Sequence, residues 1–229
     1  MNGNILLVPS VPEAFADLMV DELTGAGPGY SLFLSGGGTA TACYRALATR
    51  SGLPWYGVDI YLGDERCVPP DDPDSNHRMI IDVLLDSVGP VHGDHPMYGS
   101  GTAAEAAARY QDLVDDLRPD LVHLGLGPDG HTASLFPGST GLADAHPDHL
   151  VVANTDPGGS NPHERITLTL RGIARARRTV ITVAGASKRQ ALSRIRAGED
   201  LPAGRVTGRD ILWLVDADAL GDETPDQVA

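Results

Sequence analysis

Positive charge is scarce in this chain of 229 residues: 17 Lys and Arg stand against 31 Asp and Glu, a formal net charge of −14. A surface so acidic repels nucleic acid and anionic lipid, so neither nucleic acid nor a membrane is expected as a partner. It would repel an anionic metabolite as well, unless a local group of Arg, Lys and backbone N–H groups holds it. Cysteine is nearly absent. Cys43 and Cys67 lie far apart and read as reduced thiols, not as a structural disulfide. No segment approaches the length needed to span a bilayer. Residues 1–9 carry no basic flank and only a short apolar run, which is neither a signal peptide nor an anchor, so the cytoplasm is the expected compartment. Two catalytic signatures are missing too. No Gly-Lys-Ser/Thr follows a glycine loop, which disfavours nucleotide hydrolysis. No G-x-S-x-G elbow occurs, which leaves a covalent serine mechanism without its usual support.

What is present is ordinary globular composition, 41% hydrophobic and 21% charged. The length suits one α/β domain over residues 1–229. Apolar runs of strand length at 5–8, 30–34, 58–62, 121–126, 150–153, 179–183 and 211–215 alternate with helical periodicity at 11–25, 39–50, 76–88, 103–117 and 188–197. Residues 166–170 read as a strand or as the entry to a short helix. This alternation predicts an open, mainly parallel sheet flanked by helices on both faces.

In such a sheet ligands bind beyond the carboxyl ends of the strands. Four predicted strands end in glycine with polar or charged neighbours: Ser35-Gly36-Gly37-Gly38-Thr39, Gly63-Asp64-Glu65-Arg66, Gly127-Pro128-Asp129-Gly130-His131-Thr132 and Gly185-Ala186-Ser187-Lys188. The triple glycine leading into a helix reads as an anion cradle, because the backbone can approach closely and N–H groups point outward. Residues 125–130 formally fit G-x-G-x-x-G, but Pro137 follows too soon for a dinucleotide-binding helix. His131 is the best general base in the chain, and Asp129 is placed to orient its ring. Ser134 is close by in sequence without a stated direction. Arg66, Arg165 and Lys188 are the candidate anion ligands. Arg171, Arg175, Arg177 and Arg178 read as solvated charge. The pairs His92/His95 and His146/His149 lack a third ligand in sight, so no metal is expected. Asp71, Asp72 and Asp74 read as a solvated loop.

The same residues carry a family resemblance. Ser35 to Thr39, Gly63-Asp64-Glu65-Arg66 with Val68-Pro69, Ser75-Asn76, the long block Gly125 to Pro137, Glu164-Arg165-Ile166-Thr167 and Gly185 to Lys188 occur in the order seen in 6-phosphogluconolactonases, over nearly the whole chain. The resemblance implies a Rossmann-like fold of the isomerase/deaminase type. It implies a cofactor-free hydrolase acting on a small phosphosugar lactone, 6-phosphogluconolactone, in the oxidative pentose phosphate pathway, as a monomer or homodimer. By similarity His131 activates water, and Asp64 and Asp129 line the reacting end. Arg66 contacts substrate, while Gly36, Gly37, Gly38, Thr39, Arg165 and Lys188 hold the phosphate. Two positions depart from the family's common Ser-Gly-Gly-Ser-Thr-Pro loop, Gly38 for the serine and Ala40 for the proline. The alternatives are an amino-sugar-6-phosphate isomerase/deaminase, which typically has Asp-Glu-Tyr and a carboxylate just after the histidine, or a non-catalytic sugar-phosphate-binding protein.

Overall fold

A computed structural model describes residues 1–142 and 148–221. Its elements follow the chain as β1 (Asn4–Leu7), α1 (Val11–Thr24), β2 (Tyr30–Leu34), α2 (Gly38–Ala48), β3 (Val58–Leu62), β4 (Asp64–Arg66), α3 (Asn76–Ile80), α4 (Asp86–Val88), β5 (Gly93–His95) and α5 (Ala103–Val114). After these come β6 (Leu121–Gly125), β7 (Val151–Asn154), β8 (Arg165–Leu168), α6 (Leu170–Ala174), β9 (Arg178–Val183), α7 (Arg189–Arg196), β10 (Ile211–Val215) and α8 (Ala217–Leu220).

Seven strands form one sheet in the order β1-β10-β9-β6-β2-β3-β5, and every pair in it is parallel. All five residues of β2 are buried. Side chains alternate across a sheet, so burial at every position means that both faces are covered. The expected α/β architecture is therefore the one observed. No helix among the described residues is long and apolar enough to cross a membrane.

The helices follow local rules. Ser10 caps α1 by accepting the Glu13 N–H, and Pro12 sits in the first turn. Phe15, Met19 and Leu23 then recur at helical spacing and are fully buried, each contributing about 2–3 kcal/mol relative to exposure. Thr102 and Glu105 close a reciprocal capping box at the start of α5.

Several expectations need correction. Residues 64–66, read as a loop, form β4 of a second sheet with order β4-β8-β7, antiparallel throughout. The strand expected at 150–153 belongs there, not to the parallel sheet. Residues 166–170 are both things at once: β8 ends at Leu168, and Thr169 caps α6 by accepting the Gly172 N–H. The helix expected over 76–88 is split by a π turn at Ile81–Leu85, where the Asp86 N–H reaches Ile81 O. Residues 93–95, for which no strand was expected, form β5, with His95 at its end. Arg177 is exposed and Arg178 half-buried, but neither is a free charge: both bind Glu22, with Arg178 also 2.6 Å from Asp210.

Candidate active site

The glycine turn is built from below. Ser35, at the end of β2, gives its N–H to Tyr44 Oη at 2.8 Å and its hydroxyl to His123 O at 2.7 Å. His123 is fully buried between Tyr44 Oη at 2.8 Å and Thr182 Oγ1 at 2.9 Å, and its ring lies 4.3 Å from that of Phe15. Burial pushes its pKa down to about 3, so the ring is neutral at physiological pH. This satisfied polar cluster ties β2, β6, β9 and α2 together beneath the turn. Gly37 then caps α2 at φ +92°, a backbone region open to glycine.

His131 stands at the next strand end. Its Nδ1 lies 2.6 Å from Asp129 Oδ1, and its own N–H donates to the same oxygen at 3.1 Å. With Nδ1 occupied, Nε2 is the nitrogen left to take a proton. The imidazole lies against Gly127, where an added Cβ would sit 2.1 Å from Nδ1. Glycine is thus required there for the ring to occupy its place. Phe136 packs on the ring at 5.0 Å between centroids. Burial pushes the Asp129 carboxyl up, but the hydrogen bond and charge of His131 outweigh it and hold Asp129 below the usual aspartate range.

Gly36, Gly37, Gly38, Thr39, Asp64, Arg66, His131, Arg165 and Lys188 all line one cleft of about 360 Å³. Segments scattered from residue 36 to residue 188 thus meet, as the strand-end reasoning requires. Asp129 does not line the cleft; it acts on it through His131. Asp64 is buried, and its Oδ2 accepts the Ser134 hydroxyl at 2.7 Å. That hydroxyl is therefore turned to a carboxylate, and no Ser–His pair of the nucleophilic kind is formed.

The cations are the electrostatic anomaly. Among the described residues, none of Arg66, Arg165 and Lys188 forms a salt bridge. Arg165 is 5% exposed and its Nε has no partner, although Nη2 reaches Asn161 Oδ1 at 3.3 Å and the guanidinium lies 6.0 Å above Phe136. Arg66 Nε is likewise buried without a partner, while its Nη1 donates to Asp74 O. Burial, and then the charge of Arg66, pull Arg165 below the ordinary arginine value. Burial also pulls Lys188 down, with Asp129 opposing. Lys188 is the only lysine in the sequence. Uncompensated cations collected in a cleft are costly when empty and are relieved by an anion.

Sequence reading overlooked the lining side chain of Asn161 and gave no role to the aromatic Phe136 within its quoted block. Asn161 follows the Gly158-Gly159 pair in the polar loop after β7, a glycine signal that leads into no helix. Asn76 was noticed as part of a pattern but given no role. His92 and His95 both turn to Asp59, at 2.9 and 3.1 Å. Among the described residues no group of three or more His, Cys, Asp or Glu is arranged to hold a metal; His146 lies outside them.

Comparisons with known proteins place the chain in a family. A family model described as glucosamine-6-phosphate isomerases/6-phosphogluconolactonase matches residues 6–213. A 6-phosphogluconolactonase of Synechocystis is 39% identical over 207 residues, 82% of each chain. One of Rhizobium meliloti is 35% identical over 205 residues, 82% of this chain and 86% of that one. The crystal structure of 6-phosphogluconolactonase from Thermotoga maritima superposes with a TM-score of 0.81 at 30% identity, covering 94% of this chain and 100% of the other. Identity at this level over nearly the full length reflects common descent as well as common architecture: the chain belongs to the glucosamine-6-phosphate isomerase/6-phosphogluconolactonase family.

Proposed function

We propose that this protein hydrolyses 6-phosphoglucono-1,5-lactone to 6-phosphogluconate, the lactone-opening step of the oxidative pentose phosphate pathway. One observation carries the reading: a histidine oriented by a carboxylate faces the same cleft as three cations without carboxylate partners. A phosphorylated sugar acid needs both, a base at one end and an anion site at the other.

The residues divide the work as follows. The N–H groups of the Gly36–Thr39 turn, with Arg165 and Lys188, hold the phosphate. That end of the substrate reacts with nothing, so its binding energy serves to place C1. Asp129 keeps the proton of neutral His131 on Nδ1, and Nε2 removes a proton from water as the oxygen attacks C1. The tetrahedral oxyanion is stabilised by Arg66. Collapse breaks the bond from C1 to the ring oxygen, and the protonated imidazole returns its proton to that leaving oxygen. A base so placed supplies about 10²–10⁴-fold, a large share for an activated ester. Asp64, pinned by Ser134, lines the reacting end. The continuous core from Val8 to Leu220 supports a single lactonase domain over the whole chain.

Isomerase/deaminase chemistry is disfavoured by the stretch after His131. Leu135 and Phe136 are buried at 0% and 1% exposure, and no carboxylate there joins the His131 relay. The deciding test is a stopped assay of freshly made 6-phosphogluconolactone beside glucosamine 6-phosphate. Acid release from the lactone, with no ammonia from the amino sugar, is the expected result; the reverse pattern overturns the proposal.

A further inference from the structure

Along β4 the side chains alternate. Asp64 and Arg66 line the cleft, whereas Glu65 between them turns into the protein and is 2% exposed. Its carboxylate accepts four hydrogen bonds: from Arg66 N and Asn76 N at 2.7 Å each, from His77 N at 2.8 Å and from the Ser75 hydroxyl at 3.0 Å. Three of those donors belong to the start of α3, so Glu65 locks that helix to the strand that carries Asp64 and Arg66. The locked turn presents Asn76, which is 1% exposed and lies on the wall of the cleft. Its Nδ2 donates to Asp64 O at 2.9 Å. Its Oδ1 occupies the space beside Gly36, where an added Cβ would lie 1.8 Å away. One amide thus touches both the reacting-end strand and the first glycine of the anion turn.

We propose that Asn76 is a positioning residue: clamped by Glu65, its amide holds the Gly36 turn at a fixed place against Asp64, and this sets the affinity of the turn for the phosphate of the substrate. Glu65 never meets the substrate; it acts through Asn76. The inference rests on the lactonase reading for the identity of the substrate, but the anion turn can be tested without turnover.

The test compares wild type with Asn76→Ala and Glu65→Gln. Glutamine places an NH2 where the carboxylate faces only donors, so the clamp is broken without a change of shape. Inorganic phosphate is titrated into each protein by calorimetry, and KM and kcat are measured with 6-phosphogluconolactone. Loss of one anchoring contact predicts phosphate binding weaker by about tenfold in both variants, KM raised by a similar factor and kcat within about threefold of wild type. Circular dichroism and melting establish which variants fold. If Asn76→Ala does not fold, Glu65→Gln carries the test alone. Folded variants that bind phosphate as wild type does, or that lose kcat at unchanged KM, overturn the inference, as does a wild type that takes up no phosphate. A wild type that binds phosphate but leaves the lactone intact sinks the lactonase reading instead, and the phosphate comparison still decides the role of Asn76.

Discussion

The two ends of the parallel sheet treat the same kind of side chain in opposite ways. At the amino ends of the strands, Arg177 and Arg178 both bind Glu22, whose side chain is 9% exposed, and Tyr30 Oη donates to the same carboxylate at 2.9 Å. Asp210 completes the pairing of Arg178 at 2.6 Å. At the carboxyl ends, Arg66, Arg165 and Lys188 line a cleft with no carboxylate partner among the described residues. The first arrangement is closed, and its charges are answered within the chain. The second is left open: Asp64 and Asp129 act on its cations from nearby, but no carboxylate pairs with them directly. On the proposed reading, an ion pair at the first end is a matter of stability and a cation at the second a matter of substrate binding.

Substitutions at the two ends should separate these roles. The largest effect is expected from His131→Ala, with kcat/KM for the lactone falling about 10²–10⁴-fold while the melting curve stays close to wild type. Retention of full activity would remove His131 from the chemistry. Glu22→Ala, at the closed end, should do the reverse. It leaves Arg178 with Asp210 alone and Arg177 with Asp120 alone, and costs about 1–2 kcal/mol of unfolding free energy, read in urea, with kcat and KM unchanged at 25 °C. Lost activity in the folded Glu22→Ala protein would break the division between the ends. If Arg165 and Lys188 hold the phosphate equally in ground and transition states, Arg165→Ala or Lys188→Ala should raise KM about tenfold or more and lower kcat far less. Unchanged KM in both would take the phosphate away from these residues. The smallest effect concerns Ala133, which lines the cleft at φ +46°, a conformation unfavourable for a residue with a Cβ. Ala133→Gly should stabilise the protein by about 0.5–1 kcal/mol after its greater unfolded-state entropy is counted. Destabilisation would mean that the Ala133 methyl contributes packing that outweighs the strain.

Much of this was legible before any coordinates. Runs such as Tyr30–Leu34 and Ile211–Val215 are apolar at nearly every position, which is what a strand buried on both faces requires, and both formed as read. The strand-end glycine loops could be located because parallel topology sends every such loop to one edge. The short elements were not legible. β4 holds only Asp64, Glu65 and Arg66, with no hydrophobic signal, and becomes a strand because β8 lies alongside, pairing Glu65 with Ile166. The pairing of Arg177 and Arg178 was hidden because their partner Glu22 is remote in sequence. Asn161 gave no warning of its place on the cleft, since an asparagine in a polar segment is the ordinary case, and Asn76 was marked only as part of a family pattern, without a role.

The sequence alone determined the alternation of strands and helices, the edge at which a site must lie, and the chemical types available there: glycines that allow close approach, an imidazole and scarce cations. These follow from local periodicity and side-chain chemistry, which act over a few residues. Only the tertiary structure decided which side chains meet. It turned Glu65 inward between two residues facing the cleft, committed the Ser134 hydroxyl to Asp64, and left Arg66 and Arg165 without carboxylate partners. Those outcomes depend on distances between segments far apart in the chain, and such distances are set by packing, which no local pattern records.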